Sequence, residues 1–123
     1  DCWGQLGGVL AWEVDDRELA AVHFLTVASY NLQHPAQFTT EAINGLQTLF
    51  CQHLDEGIPI QKIRQQVSAA AEGQTKVLKP EAERRPVLRP WPMTINAVYI
   101  PDHPENAAER VRQWAAAIRA ELD

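Results

Sequence analysis

From Asp16 to Gln33 the chain reads DRELAAVHFLTVASYNLQ, a helical run that carries apolar residues on both of its sides and then meets Gln33-His34-Pro35. At about 100° per residue, Leu19, Val22, His23, Thr26, Tyr30, Gln33 and His34 share one side, while Ala21, Phe24, Leu25, Ala28 and Leu32 occupy the other. A helix that is apolar all round is enclosed by its neighbours. The steps from His23 to Thr26, Tyr30 and His34 are three or four residues each, so the polar side chains form a ladder along one internal face. Buried polar groups need partners, so such a stripe is either a structural hydrogen-bond network or the lining of a site. The helix stops at Pro35, because the residue before a proline is pushed out of the helical region.

The other elements follow from periodicity. Trp3, Leu6, Val9, Leu10 and Trp12 recur at helical spacing over a first helix, Cys2 to Val14, in which Gly7 and Gly8 allow a neighbour to approach closely. Asp15 with Glu18 forms a capping box for the second helix. A third helix starts at Thr39 or Thr40, shows Ile43, Leu46, Leu49, Phe50 and Leu54 on one side and stops at Gly57. The fourth opens at Pro59 and carries Ile60, Ile63 and Val67. Five of the eight prolines fall between Gln74 and Pro101, which reads as a wrapping loop whose apolar stretch, Trp91 to Ile100, packs as extended chain or a short strand. Asp102, Pro104 and Glu105 start the last helix, with Ala107, Val111, Trp114, Ala115, Ile118 and Leu122 on one face. The expected fold is all-α: a compact bundle of about five helices, with a long proline-rich loop between the fourth and the last. At 123 residues and 46% hydrophobic content it reads as one helical domain, residues 1–123.

Composition excludes several functions. A net charge of −5 argues against nucleic acid and against membrane surfaces, and no apolar run approaches the roughly 18 residues that span a bilayer. Asp-Cys-Trp-Gly at the start is unlike a signal peptide, so a cytoplasmic location is expected, and the absence of an initial methionine suggests trimming upstream. Cys2 and Cys51 are too few for a disulfide framework and read as reduced thiols.

Within the stripe, His23, Thr26 and Tyr30 are the candidate ligand-binding residues, with His23 as the best-placed general base should the chain be an enzyme. No nucleophile elbow, phosphate loop or paired-histidine zinc motif names a reaction. On one continuous helix His23 and His34 stand roughly 16 Å apart, too far to share a metal ion. If the first two helices form a hairpin, Cys2 lies opposite Tyr30 and His34, which makes Cys2 and His34 the candidate metal ligands, two short of a tetrahedral zinc set. His53 and His103 have no place that the sequence assigns.

Val22-His23-Phe24-Leu25-Thr26-Val27-Ala28-Ser29-Tyr30-Asn31-Leu32-Gln33-His34-Pro35 resembles the V-H-x-L-T-V-x-x-Y-x-x-Q-H-P signature of a bacterial family known only as a domain of unknown function. The likeness extends upstream through Cys2-Trp3, Gly7 and Val9-Leu10-Ala11, and more thinly downstream through Pro92, Thr94, Val98 and Trp114. It implies a C-x-x-C pair ahead of Cys2, which this chain lacks. With that pair, Cys2 and His34 would complete a structural zinc site, so zinc is the cofactor the resemblance implies.

Two readings of function stand at this point: a small-molecule or metal site on the second helix, and a non-enzymatic interaction module. The module would be a homodimer or one component of a larger assembly, with Trp91 as its anchor. Anion recognition by Arg84, Arg85 and Arg89 is a third, weakened by the acidic whole.

Overall fold

A computed structural model describes residues 2–65, 82 and 89–122, and among them every regular element is helical. In chain order these are α1 (Cys2–Trp12), α2 (Arg17–Ala21), α3 (His23–Gln33), α4 (Thr40–Glu56), α5 (described at 60–65), α6 (Ile95–Val98) and α7 (Ala107–Glu121). Short 3-10 turns lie at Glu13–Asp15 and Pro35–Gln37. The all-α expectation holds. The chain divides into two compact units, one of Asp1–Gln33 with Pro90–Asp123, the other of His34–Arg89.

In the first unit α7 is the central support. Its expected face is the observed one, since Ala107, Val111, Trp114, Ala115 and Ile118 are fully buried and Leu122 nearly so. This face packs on α2, α3 and α6, while α6 also packs on α1. The helix begins later than Asp102 and Glu105 imply, with Asn106 in the left-handed region at its N-terminus. The loop ahead of it is held by one guanidinium. Arg110 donates from Nε to the Val98 carbonyl at 2.9 Å, from Nη1 to that of Glu105 at 2.5 Å and from Nη2 to that of His103 at 2.8 Å. A planar fork with several fixed donors can hold three carbonyls at once, which an ammonium could not do in the same geometry.

Three further expectations for this unit change. Asp16, and not Asp15, caps α2, its Oδ1 accepting from the Leu19 amide at 3.0 Å. The single helix expected from Asp16 to Gln33 is two, separated at Val22, whose backbone leaves the helical region. The stretch from Trp91 to Ile100, expected as extended chain, contains the helical turn α6, with Ile95 and Val98 fully buried. Three residues apart, those two point the same way only on a helix.

In the second unit α4 has the predicted ends. Thr39 Oγ1 accepts from the Ala42 amide at 3.1 Å, and Gly57 closes the helix at φ 68, a left-handed conformation that glycine adopts without strain. His53 Nδ1–H donates to the Ile58 carbonyl at 2.7 Å just past that end. Phe50 and Ile63 are the buried apolar side chains among the described residues of this unit. Most of the proline-rich loop, including Arg84 and Arg85, lies outside the described residues.

Candidate functional site

The polar stripe does not converge on one place. Gln33, at the end of α3, is 7% exposed and satisfied at both ends of its amide. Its Nε2 donates to the Met93 carbonyl at 2.7 Å, and its Oε1 accepts from Trp114 Nε1 at 3.1 Å. A single side chain thus joins α3, α7 and the strand of chain leading into α6. Thr26 is fully buried, and its hydroxyl turns back to the Val22 carbonyl at 3.4 Å, the local bond that a helical threonine makes when nothing better is offered. Ser29 is also fully buried, and its Oγ has no partner among the described residues.

His23 sits elsewhere. The break at Val22 makes it the first residue of α3, with its side chain half exposed. Nδ1 lies 2.7 Å from Glu13 Oε2 in the 3-10 turn after α1. That carboxylate is mostly buried, and its Oε1 is without a partner among the described residues. Since the two ring nitrogens lie on different edges of the imidazole, the contact at Nδ1 leaves Nε2 directed away from Glu13. The expected interior trio of His23, Thr26 and Tyr30 is therefore split, with His23 at the surface because its partner is on the turn outside the core.

Tyr30 packs near the start of α1. Its ring centroid is 6.2 Å from that of Trp3, tilted at 57°. Burial pushes its phenol above the ordinary range, and a charge interaction with the neighbouring Cys2 adds to the rise. Tyr30 and the start of α1 are thus neighbours. His34 opens the second unit, half-buried.

The outer face of α1 is the least expected feature. Trp3 is 72% exposed, Gly4, Gly7 and Ala11 are exposed, and Val14 in the following turn is 83% exposed. No Asp, Glu, Lys or Arg occurs from Cys2 to Trp12. The inner face is closely packed: Gly8 lies under the Tyr99 ring, where an added Cβ would come within 2.7 Å of Cζ, and Trp12 stacks on that ring at 4.9 Å. Gln5 Nε2 donates to Asn96 Oδ1 at 2.5 Å on the same side. Helical spacing grouped Trp3 with Leu6 and Val9, yet only the last two are buried. The signal against it was the lack of any charged residue on the opposite face, since a helix with one buried face ordinarily carries charge on the other.

A family model described as "Family of unknown function (DUF5946)" matches residues 1–123, the whole chain. The chain belongs to DUF5946. No curated protein and no solved structure matches it. Membership in DUF5946 therefore identifies kin without supplying a reaction, and the residues themselves must carry any functional reading.

No group of three or more His, Cys, Asp or Glu residues stands together among the described residues. Two donors do not close a tetrahedral zinc site. His53 is bonded to the end of its own helix, while His103 faces Glu105 at 3.6 Å with both side chains exposed. Among the described residues no helix is long and apolar enough to cross a membrane. Trp91, the expected interface anchor, is half-buried.

Proposed function

We propose that this DUF5946 chain is a non-enzymatic interaction module that docks through the outer face of α1. The observation that carries the reading is an uncharged helix holding a tryptophan at 72% exposure beside open glycine. Large aromatic residues at such positions are the commonest anchors of protein interfaces, and an apolar surface left in water costs solubility unless a partner covers it. The polar stripe, which would have lined an interior pocket, is largely occupied by structural bonds of Gln33 and Thr26. In extracts of its native cell, the chain should run in an assembly larger than its own 13.8 kDa. Gly7→Glu should release it, because a side chain at Gly7 meets nothing within 4 Å in its own fold. A chain that runs at monomer mass in those extracts defeats the reading.

A second reading is favoured by the Glu13–His23 pair. A carboxylate fixing one nitrogen of an exposed imidazole directs the other outward, the arrangement of a general base or of a single ligand-contacting group. Under it, His23→Ala leaves the thermal melt unchanged and abolishes binding of any small molecule found by ligand screening. An unfolded His23→Ala variant, or one with binding intact, removes this reading.

A further inference from the structure

We infer that the Glu13–His23 pair is a latch that holds the helix break at Val22, and that neutralising the Glu13 carboxylate lets residues 17–33 run as one continuous helix. This goes beyond both functional readings, because it concerns what the pair does to the backbone that carries it.

Nothing local accounts for the break. From Arg17 to Gln33 there is no glycine and no proline, and Leu19, Ala20, Ala21 and Leu25 are strong helix formers on either side of it. Val22 is β-branched, which weakens a helix slightly without ending one. Yet Val22 sits at φ −106 and ψ 21, and its amide donates to the Leu19 carbonyl at 3.1 Å, three residues back. In a continuous helix it would donate to that of Glu18. The regular pattern resumes where the Thr26 amide donates to the Val22 carbonyl at 3.1 Å. A three-residue bond inside an otherwise regular run marks a hinge, or a long-range contact that overrides local preference.

That contact is made by His23, immediately after the break. Its Nδ1 lies 2.7 Å from Glu13 Oε2, ten residues back. The Glu13 side chain is 13% exposed, and its Oε1 is buried without a partner among the described residues. A carboxylate so far out of water depends on the few donors it has, and among the described residues the imidazole is the one that reaches it. A neutral acid or amide in the same place carries a far smaller desolvation cost, so its need for the imidazole is weaker. The charge on Glu13 therefore sets His23 against the Glu13–Asp15 turn and keeps α2 and α3 as separate helices. The arm that moves is α2, since Leu19 is its one buried residue whereas seven anchor α3.

The other charged groups around the pair are engaged or exposed. From Cys2 to Trp12, α1 has no Asp, Glu, Lys or Arg, and Cys2 neighbours Tyr30 two turns further along α3. Asp15, Arg17 and Glu18 are exposed, and Asp16 accepts from the Leu19 amide. On α7, which packs on α2 and α3, Arg110 and Arg119 donate to backbone carbonyls, Arg112 faces Glu109 at 3.4 Å, and Glu121 is exposed.

Heteronuclear NMR of the full chain reads the break directly, through Cα chemical shifts and proton contacts across it. In the native chain at neutral pH the Val22 Cα shift should fall outside the helical range, with no contact between the Leu19 Hα and the His23 amide. Glu13→Gln has the shape of the protonated acid. It should move that shift into the helical range and bring up the contact. His23→Phe keeps the helix propensity and removes the donor, and it should do the same. Helical backbone bonds replace the lost pair, so the readout is the local backbone and not the melt. Acidifying the native chain should move the Val22 Cα resonance in step with the Glu13 carboxyl carbon, and not with that of Asp15, Asp16 or Glu18. Should Glu13→Gln fail to fold, His23→Phe and the acid titration decide on the same signals. A break that persists in either folded variant, or a Val22 shift that follows another carboxyl, overturns the inference.

Discussion

Gln33 shows how a single polar side chain can be required for a fold without taking part in any chemistry. It satisfies the indole N–H of a fully buried tryptophan and the carbonyl of Met93 together, and the buried indole has no water to fall back on. Gln33→Met keeps the length of the side chain and removes both bonds, leaving one buried donor and one acceptor unpaired at about 1–3 kcal/mol each. Urea denaturation should show a loss of about 2–4 kcal/mol. In a cycle with Trp114→Phe the two substitutions should be less than additive, since removing either partner already breaks the indole bond. Tyr30 makes a different prediction. Its phenol is raised above its unfolded value by burial, with Cys2 adding to the rise, so the folded chain keeps a proton that the unfolded chain releases. The stabilisation is complete below the unfolded phenol pKa of about 10 and is lost as pH rises through the folded value. Alkaline denaturation should therefore be steeper in the native chain than in Tyr30→Phe, and the tyrosinate absorbance that this substitution removes should titrate above the usual phenol range. The stripe containing these residues was visible in the sequence as a run of helical spacings. What the spacing could not show was the partner of each group: Gln33 answers to residues 60 and 81 positions away, and His23 to a turn that lies outside the helix.

Adjacent glycines in α1 serve opposite purposes, and a pair of substitutions separates them. Gly8 faces inward, and an added methyl would sit within 2.7 Å of Tyr99 Cζ on a ring already stacked against Trp12. Gly8→Ala should cost about 1–3 kcal/mol, because an aromatic ring already stacked against Trp12 has little room to withdraw. Gly7→Ala meets open space, so it should stabilise α1 by up to about 1 kcal/mol through helix propensity alone. Thermal melts should move in opposite directions, and a common direction would mean that the ring does not rest on Gly8. The sequence foretold that these glycines admit a close neighbour without saying which one does so. The elements that were readable share long apolar periodicity or a cap made within a few residues, as in α4 with Thr39 and Gly57 or α7 with its buried face. The elements that were misread depend on distant contacts. A four-residue helix such as α6 is too short to show a period, and the break at Val22 coincides with the His23–Glu13 pair that reaches back ten residues.

At the level of the whole molecule, the first unit is discontinuous in sequence, and the second, His34–Arg89, is inserted between its halves. Among the described residues, every buried apolar side chain except Phe50 and Ile63 belongs to the first unit. The Gln33 amide bonds the Met93 carbonyl, so the two chain ends that border the insertion are held close together within that unit. Insertions tolerated in this way usually leave a parent that needs only a short connection to close. Replacing residues 34–89 with a short glycine-serine linker should therefore leave a chain that folds. Loop closure itself changes little, since its entropic cost varies only with the logarithm of loop length. A unit of this size sits near the lower limit for independent folding, so a lower melting temperature is expected, with a cooperative transition and with Trp114 still shielded from acrylamide. The sequence, read for composition and length alone, favoured one domain of 123 residues, and this excision distinguishes the alternatives. A molten product with an exposed Trp114 would mean that residues 34–89 contribute to the same core, while a cooperative melt would make the first unit the folding unit of the chain.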